Sequence, residues 1–120
     1  MSSTKRFVNL TGHQITVYNN IDPTAPPSII QASGQVARVQ QWIETVYNVN
    51  EIPVVCTFYG SVQGLPEPMP GIIYIVSYPC LLGLQAAGIK RSDVVAPDKS
   101  KKGRVEKDGM LVGVMAFQVL

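Results

Sequence analysis

The chain has a single histidine, His13. It closes the run Asn9-Leu10-Thr11-Gly12-His13, in which Asn9, Thr11 and His13 alternate. Alternate side chains of a strand share one face. In a continued strand these three would form a hydrogen-bonding cluster for a polar ligand. The competing reading is a turn in which Asn and Thr bond nearby backbone, and the sequence does not choose between the two. Arg38, inside Val36-Ala37-Arg38-Val39, offers a planar fork for a phosphate or carboxylate. It equally suits an ion pair across a sheet with Glu44 or Glu67. Arg91 and Asp93 read as a surface ion pair.

The residues most able to converge are Ser77 and Tyr78 with Pro97, Asp98 and Lys99. Residues 72–96 read strand, helix, strand. If the two strands pair in parallel, ligands favour their carboxyl ends, beside the helix N-terminus. Backbone donors at the Tyr78 helix start would then meet an anionic group, and Tyr74 or Tyr78 could stack on a base. The bland alternative is helix capping by Ser77 and ordinary loop chemistry at Asp98.

Enzyme templates find little here. One histidine cannot build a multi-histidine metal site. There is no CxxC pair and no HExxH, P-loop or dinucleotide fingerprint. Gly60-Ser61-Val62-Gln63-Gly64 has the wrong spacing for a nucleophile elbow. A triad from His13 with an Asp and a Ser would have to assemble across the fold, and no spacing supports one. No catalytic residue, metal ligand or cofactor is assigned.

The elements that must position these residues follow from pattern. Residues 7–10 and 14–19 read as short strands joined at Thr11-Gly12-His13, a candidate hairpin. Residues 20–27 form a Pro-rich loop and 28–31 a short strand. Residues 36–49 alternate over a long stretch whose β-branched content favours one or two strands over a helix. Residues 52–59 are strongly β, and 60–71 a rigid loop dense in Gly and Pro. The run Ile72-Ile73-Tyr74-Ile75-Val76-Ser77 suits a central strand buried on both faces. The principal helix spans about 78–89, with Pro79 in its first turn and Gly88 at its end. Residues 93–96 form a strand and 97–103 a polar loop. Asp108-Gly109, between 104–107 and 110–119, is a strong hairpin signal.

Composition bounds the rest. A chain of 120 residues fits one domain, 1–120, with a core of its own. Charged residues make up 15%, well under the usual share of about 25%. That deficit hints at a covered subunit surface and a homo-oligomer. The net charge is +2, and Lys99, Lys101, Lys102, Arg104 and Lys107 cluster near Gly103. This cluster reads as a solvated loop sooner than a phosphate site. With no basic stripe interleaved with aromatics, it argues against nucleic acid. Cys56 and Cys80 sit in apolar surroundings and read as buried free thiols. The polar start and the lack of an apolar run near ~20 residues predict neither signal peptide nor membrane span, hence a cytoplasmic protein.

Several motifs together resemble a family of small uncharacterised proteins from bacteriophages, prophages and bacterial genomes. They are Asn9-Leu10-Thr11-Gly12-His13, Ser33-Gly34-Gln35-Val36-Ala37-Arg38-Val39, Gly64-Leu65-Pro66-Glu67-Pro68, Tyr74-Ile75-Val76-Ser77 and Arg91-Ser92-Asp93-Val94-Val95-Ala96-Pro97-Asp98. The resemblance spans most of the chain; Gly12 stands where it implies a proline. Phage-encoded domains of this size include proteins that capture nucleotide-derived immune signals, an analogy of size and origin.

The expected fold is thus a β-rich α/β (α+β) domain: a curved, mainly antiparallel sheet, one principal helix and a C-terminal hairpin. The expected function is binding and sequestration of a small polar ligand, of the nucleotide-derived kind, without chemistry. Asn9, Thr11, His13, Arg38, Tyr74, Ser77, Tyr78 and Asp98 are the candidate ligand-binding residues. One alternative is a small nucleotide hydrolase or phosphodiesterase with His13 or Asp98 as base. Another is a structural or interaction protein, such as a virion accessory, using Trp42, the Glu67 loop and the apolar C-terminal strand.

Overall fold

The computed structural model describes residues 5–19, 21–22 and 24–120. The polar start 1–4, and Asn20 and Pro23 of the expected loop, lie outside the described residues. The fold is β-rich α+β, with ten strands and one helix among those residues.

The strands are β1 (Arg6–Asn9), β2 (Ile15–Val17), β3 (Ser28–Ile30), β4 (Arg38–Val49), β5 (Ile52–Gln63), β6 (Ile72–Ile75), β7 (Val94–Pro97), β8 (Arg104–Lys107), β9 (Met110–Val114) and β10 (Phe117–Gln118). The helix α1 (Tyr78–Ala86) lies between β6 and β7. Two four-stranded sheets form, in the orders β1-β6-β7-β10 and β3-β2-β9-β8, and β4 and β5 pair alone as a ribbon.

The first sheet is built on parallel pairs: β1 beside β6, and β6 beside β7, with α1 as the crossover. Strand β6 is therefore central, as its unbroken apolar run predicts. Its side chains alternate between two cores. Tyr74 and Val76 join Val94, Ala96, Leu81 and Leu84 on the helix side. Ile75 joins Ile15 and Val114 of the second sheet on the other side, with Val95 and Phe117 packed against them. The result is three layers: helix, first sheet, second sheet.

The hairpin expected from 7–10 and 14–19 does not form. Strand β1 pairs with β6, and β2 pairs with β3 antiparallel and with β9 in parallel. The reason lies between them. The Thr11-Gly12-His13 segment carries the chain from one sheet to the other, and Gly12 has φ 90°. A proline, whose φ is locked near −65°, could not take that conformation, so the glycine matters at this turn.

Residues 60–63, expected as loop, extend β5 instead. They pair with the start of β4 across a register shift between Val39 and Gln41. Strands β8 and β9 do form the C-terminal hairpin around Asp108-Gly109, but β9 stops at Val114. The rest of that apolar run crosses over, and β10 pairs with β7 in the first sheet. The helix ends at Ala86, earlier than 89, where the amides of Gly88 and Ile89 bond back to Gln85 and Leu84. No helix among the described residues is long and apolar enough to cross a membrane.

Candidate functional site

Parallel pairing decides where chemistry can gather. Because β1, β6 and β7 run the same way, with Asn9 opposite Ile75 and Ile75 opposite Val95, their carboxyl ends lie side by side. The segments leaving those ends are 11–13, 77–79 and 97–100. They open on a cavity of about 670 Å³ whose far wall is β2 and β9 of the second sheet. Carboxyl ends of parallel strands are the usual ligand position in such sheets.

Five of the eight candidate residues line this cavity: Thr11, His13, Ser77, Tyr78 and Asp98. Lys99 and Pro97 line it too. The other three are elsewhere, each for a visible reason.

Asn9 is 1% exposed, and its amide is fully used. Nδ2 donates to the carbonyls of His13, at 2.8 Å, and Ile30, at 3.2 Å. Oδ1 accepts the Thr11 amide at 3.0 Å and the Thr11 hydroxyl at 2.7 Å. Asn9 therefore holds the 11–13 turn and ties it to β3. It positions Thr11 and His13 and does not reach the cavity. Of the two readings the sequence left open here, the turn with side-chain-to-backbone bonds is the one formed.

Tyr74 is buried in the helix-side core, its hydroxyl donating to Glu67 O at 3.3 Å. Its ring is therefore not presented for stacking. Arg38 is exposed on the ribbon, opposite Gln63. The ion pairs among the described residues are Arg91–Asp93 and Arg104–Glu106, so Arg38 meets neither Glu44 nor Glu67.

Ser77 precedes α1 in an extended conformation and makes no side-chain cap. Its hydroxyl is thus not spent on the helix. Its carbonyl accepts the amides of Cys80, at 3.0 Å, and Leu81, at 3.3 Å. Pro79 has no N–H, so the first turn keeps little donor capacity for an anion. The anion site expected from the helix start is correspondingly weak. Tyr78 keeps an exposed ring at the rim.

Asp98 is the most organised charge in the cavity. The Ser100 hydroxyl and amide hold its carboxyl below the usual range, the amide at 2.9 Å from Oδ1. Its own amide donates to Ala116 O at 2.9 Å. The carboxylate is therefore ionised at neutral pH.

Sequence reasoning missed the far wall. Gln14, Thr16, Leu111 and Gly113 also line the cavity, brought there by the pairing of β2 with β9 inside the second sheet, which no local motif marks. Ser100, in the loop after β7, and Gln118, on β10, line it from the side of the first sheet. Cys56, expected buried, is exposed, because its part of the ribbon joins neither core among the described residues; Cys80 is buried as expected, and both are free thiols. Among the described residues no group of three or more His, Cys, Asp or Glu side chains could hold a metal ion.

Comparisons with protein-family models, curated proteins and solved structures find no match to this chain.

Proposed function

We propose that the chain binds a small polar ligand of the nucleotide-derived class in the cavity at the carboxyl ends of β1, β6 and β7. It holds that ligand without altering it, as a phage-type accessory protein that withdraws a host immune signal. The observation that carries the reading is the convergence of three parallel strand ends on one cavity.

Chemistry and size support it. About 670 Å³ falls within the roughly 300–1,000 Å³ typical of small-molecule sites. The exposed Tyr78 ring offers a flat apolar surface for a base. Lys99 offers a positive charge for a phosphate, and ionised Asp98 an acceptor for sugar hydroxyls or a base amino group. Thr11, Ser77 and Gln118 add neutral donors and acceptors.

A second reading is a nucleotide hydrolase, favoured by one observation: His13 and Asp98 line the same cavity. One experiment separates the two. The protein is screened by thermal shift against linear and cyclic nucleotides, and the bound ligand is then released by denaturation and weighed. A ligand at a hundred times its dissociation constant adds about 2.7 kcal/mol of stability, a clear shift. Ligand recovered with unchanged mass supports the binder, and hydrolysed ligand the enzyme. No shift with any nucleotide, together with an unaltered thermogram for Leu111→Trp, which fills the cavity, removes the nucleotide reading.

A further inference from the structure

The β4–β5 ribbon is a poor match for water. Each strand has 12 residues, and the two pair only with each other. Across both strands only Arg38 and Glu44 are charged. Side chains directly opposite in an antiparallel pair share a face. The register therefore places Trp42 with Phe58, Glu44 with Cys56, Tyr47 with Val54, and Val49 with Ile52. Alternation, with the extra residue Val46 taken up by the register shift between Thr45 and Tyr47, puts all four pairs on one face. Two contacts agree with that placement. The Trp42 and Phe58 rings stack at 6.2 Å, and Trp42 Nε1 donates to Glu44 Oε1 at 3.0 Å.

This face is almost wholly apolar and stands open. Tyr47 is 59% exposed and Ile52 66%, and Trp42, Val49 and Phe58 are exposed too. At the ribbon's root Val39 and Val62, which alternation places on the opposite face, pack against the helix-side core. Among the described residues, none of the Trp42 face joins either core. Edge strands of lone sheets are normally guarded by lysines, prolines or inward charges; here the long free edges carry one proline, Pro53, and no lysine.

We infer that this face is the contact surface of a homodimer, packed on the same face of a second copy about a two-fold axis. Three observations select a second copy. First, a two-stranded ribbon alone is marginal in water. Whatever covers it must be present whenever the chain is folded, and a second copy is the partner always present in equal amount. Second, the face carries a single charge, the Glu44 carboxylate, which accepts a hydrogen bond from Trp42 Nε1. One negative charge on an apolar face repels nucleic acid and anionic lipid, whereas the apolar area around it is complementary to itself. Third, the area fits. A 12-residue ribbon is ~40 Å long and ~10 Å wide, so one face projects ~400 Å². The side chains standing on it add to that projected area, so two such faces together approach the lower end of specific interfaces, ~1,200 Å² in total. The inference is independent of the cavity reading, since none of the face's residues lines the cavity.

The test is the mass in solution of the intact chain, by light scattering on a sizing column. The expected result is twice the 13.1 kDa of one chain. The double substitution Tyr47→Lys with Phe58→Lys should halve that mass. In wild type the dimer should shield the Cys56 thiol from a maleimide, and dilution should speed its labelling; Cys80 is buried in either state. The dilution experiment uses wild type alone, so it stands if the double variant does not fold. A wild-type monomer at high micromolar concentration, with Cys56 labelling independent of dilution, overturns the proposal. So does a monomer that co-sediments with phospholipid vesicles, which would give the face to a bilayer.

Discussion

Gly103 lies directly beneath Asp98. A Cβ built on Gly103 would stand 2.6 Å from the Asp98 carbonyl oxygen and 2.5 Å from Oδ2. The glycine is buried there, its amide donating to Ser100 O at 3.0 Å and its carbonyl accepting from Met115 N at 2.6 Å. Both sides of the 97–103 loop are therefore fixed, and the Asp98 carboxylate is set by the absence of a side chain five residues on. Gly103→Ala should displace the loop and cost about 1–3 kcal/mol, the range for forcing atoms into a packed site. Chemical denaturation measures the loss. Any nucleotide-induced thermal shift should fall with it, and unchanged stability would mean the loop gives way freely.

Asn9 is where the cavity's first wall is anchored. Replacing it with Asp keeps the shape but removes both amide donors and brings a carboxylate against the His13 and Ile30 carbonyls. An unsatisfied buried group costs about 1–3 kcal/mol, and more where a charge is involved. Asn9→Asp should therefore destabilise more than Thr11→Val, which removes only a hydroxyl. Equal midpoints for the two variants in urea would refute the anchoring role.

Arg91 and Asp93 form a two-pronged ion pair, Nε to Oδ1 at 2.8 Å and Nη2 to Oδ2 at 2.9 Å, while Nη2 also donates to Pro66 O at 3.0 Å. The pair ties the approach to β7 to the Gly64-Leu65-Pro66 segment. The hydrogen bonds from Arg91 hold the Asp93 carboxyl below its ordinary value of 3.8. A group whose folded pKa is depressed stabilises the fold above its unfolded pKa, and that contribution vanishes as pH falls through the folded value. Wild type should therefore lose stability below about pH 4 in a step that Asp93→Asn lacks. At neutral pH the variant should be about 1.5–3 kcal/mol less stable, the scale of hydrogen bonds to charged groups. Parallel acid profiles for the two proteins would show that the pair contributes nothing.

The ribbon's turn predicts a change in the opposite direction. Asn50 and Glu51 have φ of 48° and 66°, the pair of left-handed residues that a two-residue hairpin of primed type requires. Asn suits the first position, but Glu is a poor occupant of the second, where Gly is preferred. Glu51→Gly should raise stability by about 1 kcal/mol, the approximate cost of the left-handed region for a residue with a Cβ. A lower thermal midpoint would contradict the turn's geometry.

Local pattern alone determined a good deal. The unbroken apolar run at 72–76 pointed to a strand covered on both sides, because covering only one face would leave every second large apolar side chain in water. Pro79 and Gly88 bracketed the helix, and Asp108-Gly109 marked a hairpin, since each limits the backbone at its own position. The strand–helix–strand order then placed Ser77 and Asp98 near one another, and both line one cavity. Tertiary structure decided the rest. Whether β1 turned back on β2 or crossed to β6 depended on which partner buried Val8 and Leu10 better, a comparison among distant residues that no local window contains. That choice moved His13 to the end of a parallel sheet and made Asn9 a buried anchor instead of a ligand contact. The same limit hid the ribbon. Its alternation is that of any half-buried strand, and only the packing of the described residues shows that its outer part joins neither core.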